Sequence, residues 1–150
     1  MPLLVKDLMW SAPPVISPDT TLKEAALKMT EVNAGVLPVG GNGKVEGIIT
    51  DRDIVIRSVS QGQNPALTKV SEVMTRNIHF CRTADSIPSA AETMKKRKVG
   101  RLAVMDDKNR FCGILSFGHI FRNDASAAEA AEVILRVADR SHREKQLAVR

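Results

Sequence analysis

The strongest constraint on this chain is that its sequence occurs twice. Laying residue n over residue n + 65 places Val5, Leu8 and Met9 on Val70, Val73 and Met74, and Leu22, Ala25, Ala26 and Met29 on Ile87, Ala90, Ala91 and Met94. Gly35, Leu37 and Val39 fall on Gly100, Leu102 and Val104; after a one-residue insertion, Gly47-Ile48-Ile49-Thr50 falls on Gly113-Ile114-Leu115-Ser116. The period is longer than that of common solenoids, so two pseudo-symmetric halves with apolar faces buried against each other are expected, not an open array. A half of ~60 residues buries too little surface to be comfortably stable alone, which makes one shared module the expectation.

Each half reads as a β-α-β-β-α unit of an α/β fold. In the first, 15–17 is a short strand. Thr21 is an N-cap with Glu24 three residues on, and Leu22, Ala25, Ala26, Met29 and Val32 form an apolar stripe at helical spacing. The helix is expected to end near Asn33-Ala34-Gly35, with Gly35 taking the left-handed cap. A strand at 36–39, a turn at 40–43 and a returning strand at 45–49 follow, since Asn-Gly between apolar segments is a strong hairpin signal. A second helix is expected over 51–59. The pattern returns at 80–82, 86–97, 101–105, 111–115 and 117–122. The division expected is repeat 1 over 1–62, a linker over 63–68, repeat 2 over 69–122, and a C-terminal helical extension over 123–150. In that extension Ala130, Val133, Ile134, Val137 and Ala138 share one helical stripe, with Arg136, Arg140 and Arg143 elsewhere. The stripe can cover the module itself or form a homodimer contact.

Apolar content of 43% and charged content of 26% exclude wholesale disorder and fibrous classes. No apolar run approaches the ~18 residues of a membrane span, and the amino terminus lacks the apolar stretch of a secretory signal, so a cytoplasmic protein without membrane attachment is expected. Cys81 and Cys112 are isolated and expected to be reduced. The net charge of +5 is too small to specify a partner. Its sharpest cluster, Lys95, Lys96, Arg97 and Lys98, reads as the solvated end of a helix or as an anion contact. Nucleic-acid readers interleave aromatics for stacking, and this chain has four Phe, one Trp and no Tyr. His79 and Cys81, two apart on a strand, share a face about 7 Å apart. No third ligand or orienting group accompanies them, so they read as ordinary strand residues and no catalysis or metal is expected. His142 reads as solvated.

The most informative string is Gly47-Ile48-Ile49-Thr50-Asp51-Arg52-Asp53-Ile54, a strand running into a helix with hydroxyl and carboxylate three residues apart. Thr-x-x-Asp is a helix cap in one reading. In the other, the carboxylate accepts a sugar diol's hydrogen bonds and the hydroxyl supplies a further partner. The two do not exclude each other.

With the duplicated unit and the paired openings Val5-Lys6-Asp7-Leu8-Met9 and Val70-Ser71-Glu72-Val73-Met74, this string resembles the CBS domain over roughly residues 4–122. That domain occurs as tandem pairs, called Bateman modules, in IMP dehydrogenase, in the γ subunit of AMP-activated protein kinase and in many stand-alone bacterial proteins. The resemblance implies two β-α-β-β-α repeats packed sheet to sheet, with two clefts for adenosine ligands: AMP, ADP or ATP first, NAD or S-adenosylmethionine as further options. It implies a regulatory, energy- or metabolite-sensing role without catalysis, association as a homodimer and a separate effector protein. Carried over by position, Thr50 and Asp53 would hold the ribose of one ligand, with Val15, Val36 and Pro38 along its base. In the second repeat Arg101 would contact phosphate and Ser116 stands in the place of Thr50. His119 stands where the family has its aspartate, so the first cleft is expected to be the better site. A basic nucleic-acid-binding protein is the alternative.

Overall fold

The computed structural model describes residues 3–122 and 127–148, with side chains in the last helix described as far as residue 138. In chain order the elements are α1 (Val5–Leu8), β1 (Trp10–Ser11), α2 (Leu22–Val32), β2 (Val36–Gly41), β3 (Lys44–Thr50), α3 (Asp51–Arg57), β4 (Phe80–Arg82), α4 (Ile87–Arg97), β5 (Arg101–Met105), β6 (Phe111–Ser116), α5 (Phe117–Phe121) and α6 (Ala127–Ala148). They form two compact units, one of residues 13–78 and the other of residues up to 12 together with those from 79 onward.

In the first unit the Thr21 hydroxyl accepts the Glu24 N–H at 3.2 Å while the Glu24 carboxylate accepts the Thr21 N–H at 3.1 Å, a reciprocal cap that starts α2. The helix ends two residues earlier than a glycine cap at Gly35 would place it. Asn33 takes the left-handed conformation, φ 52°, which its short polar side chain tolerates. Gly35 does not take the left-handed conformation, and a Cβ there would lie 2.7 Å from the end of the exposed Asp51 side chain. β2 and β3 pair antiparallel from Val36 opposite Thr50 to Gly41 opposite Lys44. Only Asn42 and Gly43 form the turn, both with positive φ (55° and 77°) as a twisted two-residue hairpin requires, so Gly40 and Gly41 belong to the strand. The strand expected over 15–17 is reduced to one parallel bridge from Ile16 to Val39. Across β3, Thr75 makes an antiparallel bridge to Ile48. The second helix stops at Arg57, and Val59–Gln61 is a separate 3-10 turn. Leu22, Leu37, Val39, Ile49 and Val70 are fully buried in this unit.

The second unit carries a four-stranded sheet in the order β1-β6-β5-β4, with β4 parallel to β5 and the other pairs antiparallel. β1 and β4 stand where single bridges at Thr75 and Ile16 stand in the first unit. Ser86 caps α4 by accepting the Ser89 N–H at 3.2 Å, and Lys98, at φ 56°, ends it as Asn33 ends α2. Ala130 and Val133 of α6 are fully buried in one cluster with Met94 and Ile120, with Val137 partly buried beside them. Lys95 of α4 meets Glu132 at 2.8 Å. The terminal stripe therefore covers its own unit, and Ile134 and Ala138, expected on that stripe, face outward. The side chains of Arg140, His142 and Arg143 lie outside the described residues.

The opening of each repeat belongs to the unit formed by the body of the other. In the unit of residues 13–78, Val70 N–H donates to the Thr20 carbonyl at 2.8 Å, Ser71 N–H to Pro18 at 3.0 Å, and Leu22 N–H to Thr68 at 2.9 Å. Sixty-five residues away, Val5 N–H donates to Asp85 at 2.9 Å, Lys6 N–H to Thr83 at 3.1 Å, and Ile87 N–H to Leu3 at 3.0 Å. The equivalence extends to close approaches: a Cβ on Gly47 would lie 2.5 Å from the Thr75 carbonyl oxygen, and one on Gly113 would lie 2.8 Å from that of Trp10.

Candidate functional site

The strand-to-helix corner of the first unit is built by β2, β3 and α3. Register pairing sets Val36 opposite Thr50, and the Asp51 N–H donates to the Gly35 carbonyl at 3.0 Å, fixing the bend. The Thr50 hydroxyl accepts the Asp53 N–H at 3.0 Å, and Asp53 Oδ2 accepts the Thr50 N–H at 3.0 Å. The capping reading of Thr50 and Asp53 therefore describes the structure, and it does not exhaust the carboxylate. Asp53 is 8% exposed and also accepts the Thr75 hydroxyl, at 3.2 Å to Oδ1 and 3.3 Å to Oδ2. Arg57 Nε lies 3.8 Å from Oδ1, and its Nη1 donates to the carbonyls of Val73 and Met74 at 3.1 and 3.2 Å. Of the apolar residues expected nearby, Val36 and Pro38 are buried in β2, while Val15 is 45% exposed and precedes Ile16, whose N–H donates to the Pro38 carbonyl at 3.0 Å.

The corner of the second unit has the same backbone and different chemistry. Arg101 pairs opposite Ser116, and the Phe117 N–H donates to the Gly100 carbonyl at 3.0 Å. The Ser116 hydroxyl accepts the His119 N–H at 3.3 Å, and His119 Nδ1 accepts the Ser116 N–H at 3.1 Å. That second bond requires an unprotonated Nδ1, so the ring proton sits on Nε2. Burial, then the charges of Arg122 and Arg101, hold the His119 pKa below the ordinary histidine value. A phenyl ring and an imidazole occupy the places of Asp51 and Asp53, and Trp10 occupies the place of Thr75. Arg101, Ser116 and His119 are thus brought to one corner; Val36, Thr50 and Asp53 to the other.

Sequence reasoning passed over Thr75 and Arg57. Thr75 directly follows the repeated Val-x-x-x-Met opening, and its counterpart being Trp10 is the signal that this position differs between the halves.

Other tempting side chains are otherwise engaged. Burial, with Asp85 and Cys112 adding to it, pushes the Cys81 thiol up to about 12, away from the thiolate a nucleophile needs. Among the described residues no three His, Cys, Asp or Glu side chains lie together as a metal site would require. In the basic cluster, Lys95 is paired with both Glu92 and Glu132, at 2.9 and 2.8 Å, which weakens its field for an external anion. No helix among the described residues is long and apolar enough to cross a membrane.

The sequence profile of the CBS domain matches residues 5–60 and again 70–126. The chain belongs to the CBS domain family. Among curated relatives, the CBS domain-containing protein YhcV of Bacillus subtilis is 33% identical over 89% of this chain and 94% of its own length. A homoserine O-acetyltransferase of Methanocorpusculum labreanum is 34% identical over 77% of this chain, a match that covers 23% of that enzyme. Among solved structures, the CBS domain protein TA0289 of Thermoplasma acidophilum superposes with a TM-score of 0.78 at 25% identity, over 91% of this chain and 76% of that one. The CBS domain pair of MJ0100, solved with 5′-methylthioadenosine and S-adenosyl-L-methionine, gives 0.71 at 29% identity over 81% of this chain and 95% of that one. CBSX2 in complex with AMP gives 0.65 at 25% identity over 79% and 93%.

Proposed function

We propose that this chain is a regulatory module that binds an adenosine nucleotide and carries out no catalysis. The observation behind this reading is the Asp53 carboxylate, held 8% exposed at a strand-to-helix corner beside the Thr50 hydroxyl. A carboxylate so placed has about four acceptor positions, and vicinal ribose hydroxyls are donors spaced to use two of them. In this reading Val36 and Pro38, buried in β2 beside the corner, are the apolar neighbours of the base, in keeping with the general make-up of small-molecule sites. Related CBS pairs solved with AMP, or with S-adenosylmethionine and methylthioadenosine, support the ligand class. In this reading AMP, ADP and ATP are the first candidates, with NAD and S-adenosylmethionine next. Arg101, with Ser116 and His119, serves a second and weaker position where the guanidinium faces phosphate. The module acts in the cytoplasm as a homodimer and signals to a separate effector protein through a conformation that the nucleotide favours.

The test is a thermal-shift series with AMP, ADP, ATP, NAD and S-adenosylmethionine. At ~100 times its dissociation constant a ligand specific for the folded state adds ~2.7 kcal/mol of stability, a shift readily seen in a domain of this size. At least one of the five is expected to raise the melting temperature. No shift with any of them at millimolar concentration would remove the nucleotide reading.

A further inference from the structure

We propose that the Thr75 hydroxyl is a placeholder on Asp53, giving way to the ribose diol when a nucleotide binds. The inference rests on the ribose reading of Asp53 and assigns a role to a residue outside that reading. A carboxylate buried to this degree is costly without donors. Three groups supply them here, and only one can leave. The Thr50 N–H is part of the main chain and of the cap that begins α3. Arg57 is committed to the carbonyls of Val73 and Met74, and its Nε stands 3.8 Å from Oδ1. The Thr75 hydroxyl has a single proton to offer, yet it lies almost equally far from both oxygens, 3.2 and 3.3 Å, where a diol's two hydroxyls would each take one.

The backbone of Thr75 does not need to move for this exchange. Its N–H donates to the Ile48 carbonyl at 2.8 Å and its carbonyl accepts the Ile48 N–H at 2.9 Å, so rotation about χ1 alone frees the carboxylate. Thr75 therefore lowers affinity by the strength of the bond the ligand must replace. It also makes that replacement selective, because only a sugar with both hydroxyls restores both acceptor contacts. The second corner has no such device: Trp10 stands in place of Thr75 and His119 in place of the carboxylate.

Calorimetric titration of the parent, Thr75→Val, Thr75→Ala and Thr75→Ser with AMP, with S-adenosylmethionine and with 2′-deoxy-AMP tests the exchange. The Val and Ala variants lack the hydroxyl and are expected to bind AMP or S-adenosylmethionine about 10-fold more tightly than the parent, the worth of one hydrogen bond to a charged group. Thr75→Ser is expected to bind as the parent does, and 2′-deoxy-AMP to gain less than 3-fold from losing the hydroxyl. Equal or weaker binding by the Val and Ala variants, with the parent still binding, would overturn the placeholder role and leave the nucleotide reading intact. So would a full 10-fold gain for 2′-deoxy-AMP. If neither the parent nor any variant binds the three probes, the nucleotide reading falls and this inference with it.

Discussion

The two strand-to-helix corners share a backbone to within a few tenths of an ångström in their bonding. Thr50 and Ser116 each accept the N–H three residues on, and each N–H is accepted by the side chain at that position. The Asp51 and Phe117 amides donate to the carbonyls of Gly35 and Gly100 at the same 3.0 Å. Yet one corner carries two carboxylates and the other a phenyl ring and a neutral imidazole. Duplication therefore preserved the bend, which any hydroxyl and any acceptor three residues later can make, and left the chemistry at the bend free to diverge. The terminal helix marks the same divergence: α6 lies on α4 and α5, adding Val137 beside Gly100 and Phe117.

The largest expected effect that sharpens this contrast is on ligand affinity. Asp53→Ala is expected to weaken nucleotide binding about 100-fold, the loss of two hydrogen bonds to a charged acceptor, and to cost ~1 kcal/mol in stability through the lost cap. Asp53→Asn keeps an acceptor for the Thr50 N–H and separates the two effects. If Asp53→Ala binds like the parent while His119→Ala does not, the assignment of the stronger site is reversed.

Next in size is a packing difference at the two glycines. A Cβ on Gly100 would lie 2.7–2.8 Å from the Phe117 ring, so Gly100→Ala is expected to destabilise by ~1–3 kcal/mol through overpacking. The same change at Gly35 meets only the end of the exposed Asp51 side chain, which can swing aside, and is expected to stay within ~0.5 kcal/mol of the parent. Urea unfolding of the two variants checks the pair, and equal losses would contradict the packing account.

The smallest effect is a pH dependence belonging to the second corner alone. The folded-state pKa of His119 lies below its ordinary 6.5, so in acid the unfolded chain takes up this proton before the folded one. Its contribution to stability is fully present above about pH 6.5 and is lost as pH falls from there through the folded pKa. The loss follows first from burial of the ring, which penalises the charged form, and then from the charges of Arg122 and Arg101. His119→Asn is expected to remove this component from melting curves taken between about pH 5 and 7. His119→Asp is expected to remove it too and, by restoring the carboxylate, to add a second equivalent of bound nucleotide in calorimetry. An unchanged pH profile in both variants would show that His119 does not titrate in this range.

Much of this is legible in the sequence. The caps at Thr21 and Thr50 and the hairpin at Asn42-Gly43 fall where capping and turn chemistry put them, because these are contacts between residues three or fewer apart. Where local rules allowed two answers, the finer placement was lost. Asn33, not Gly35, takes the left-handed position, since local rules allow it at both. At 15–17 pairing was overestimated, because a strand's length depends on a partner that the pattern does not contain. Thr75 escaped notice because its contact with Asp53 spans 22 residues. The packing of α6 was an open choice because an apolar stripe records that it is covered, not by what.

The crossed allegiance of the two openings has a consequence for how such a chain can be divided. A nick anywhere in 63–68 would leave one fragment carrying residues 3–12 without the sheet they complete, and another carrying 70–78 in the same predicament. Neither piece would be a finished object, though each would hold what the other lacks. A gene encoding one repeat alone would specify a body with a missing edge, and two such products would have to trade ends to become whole.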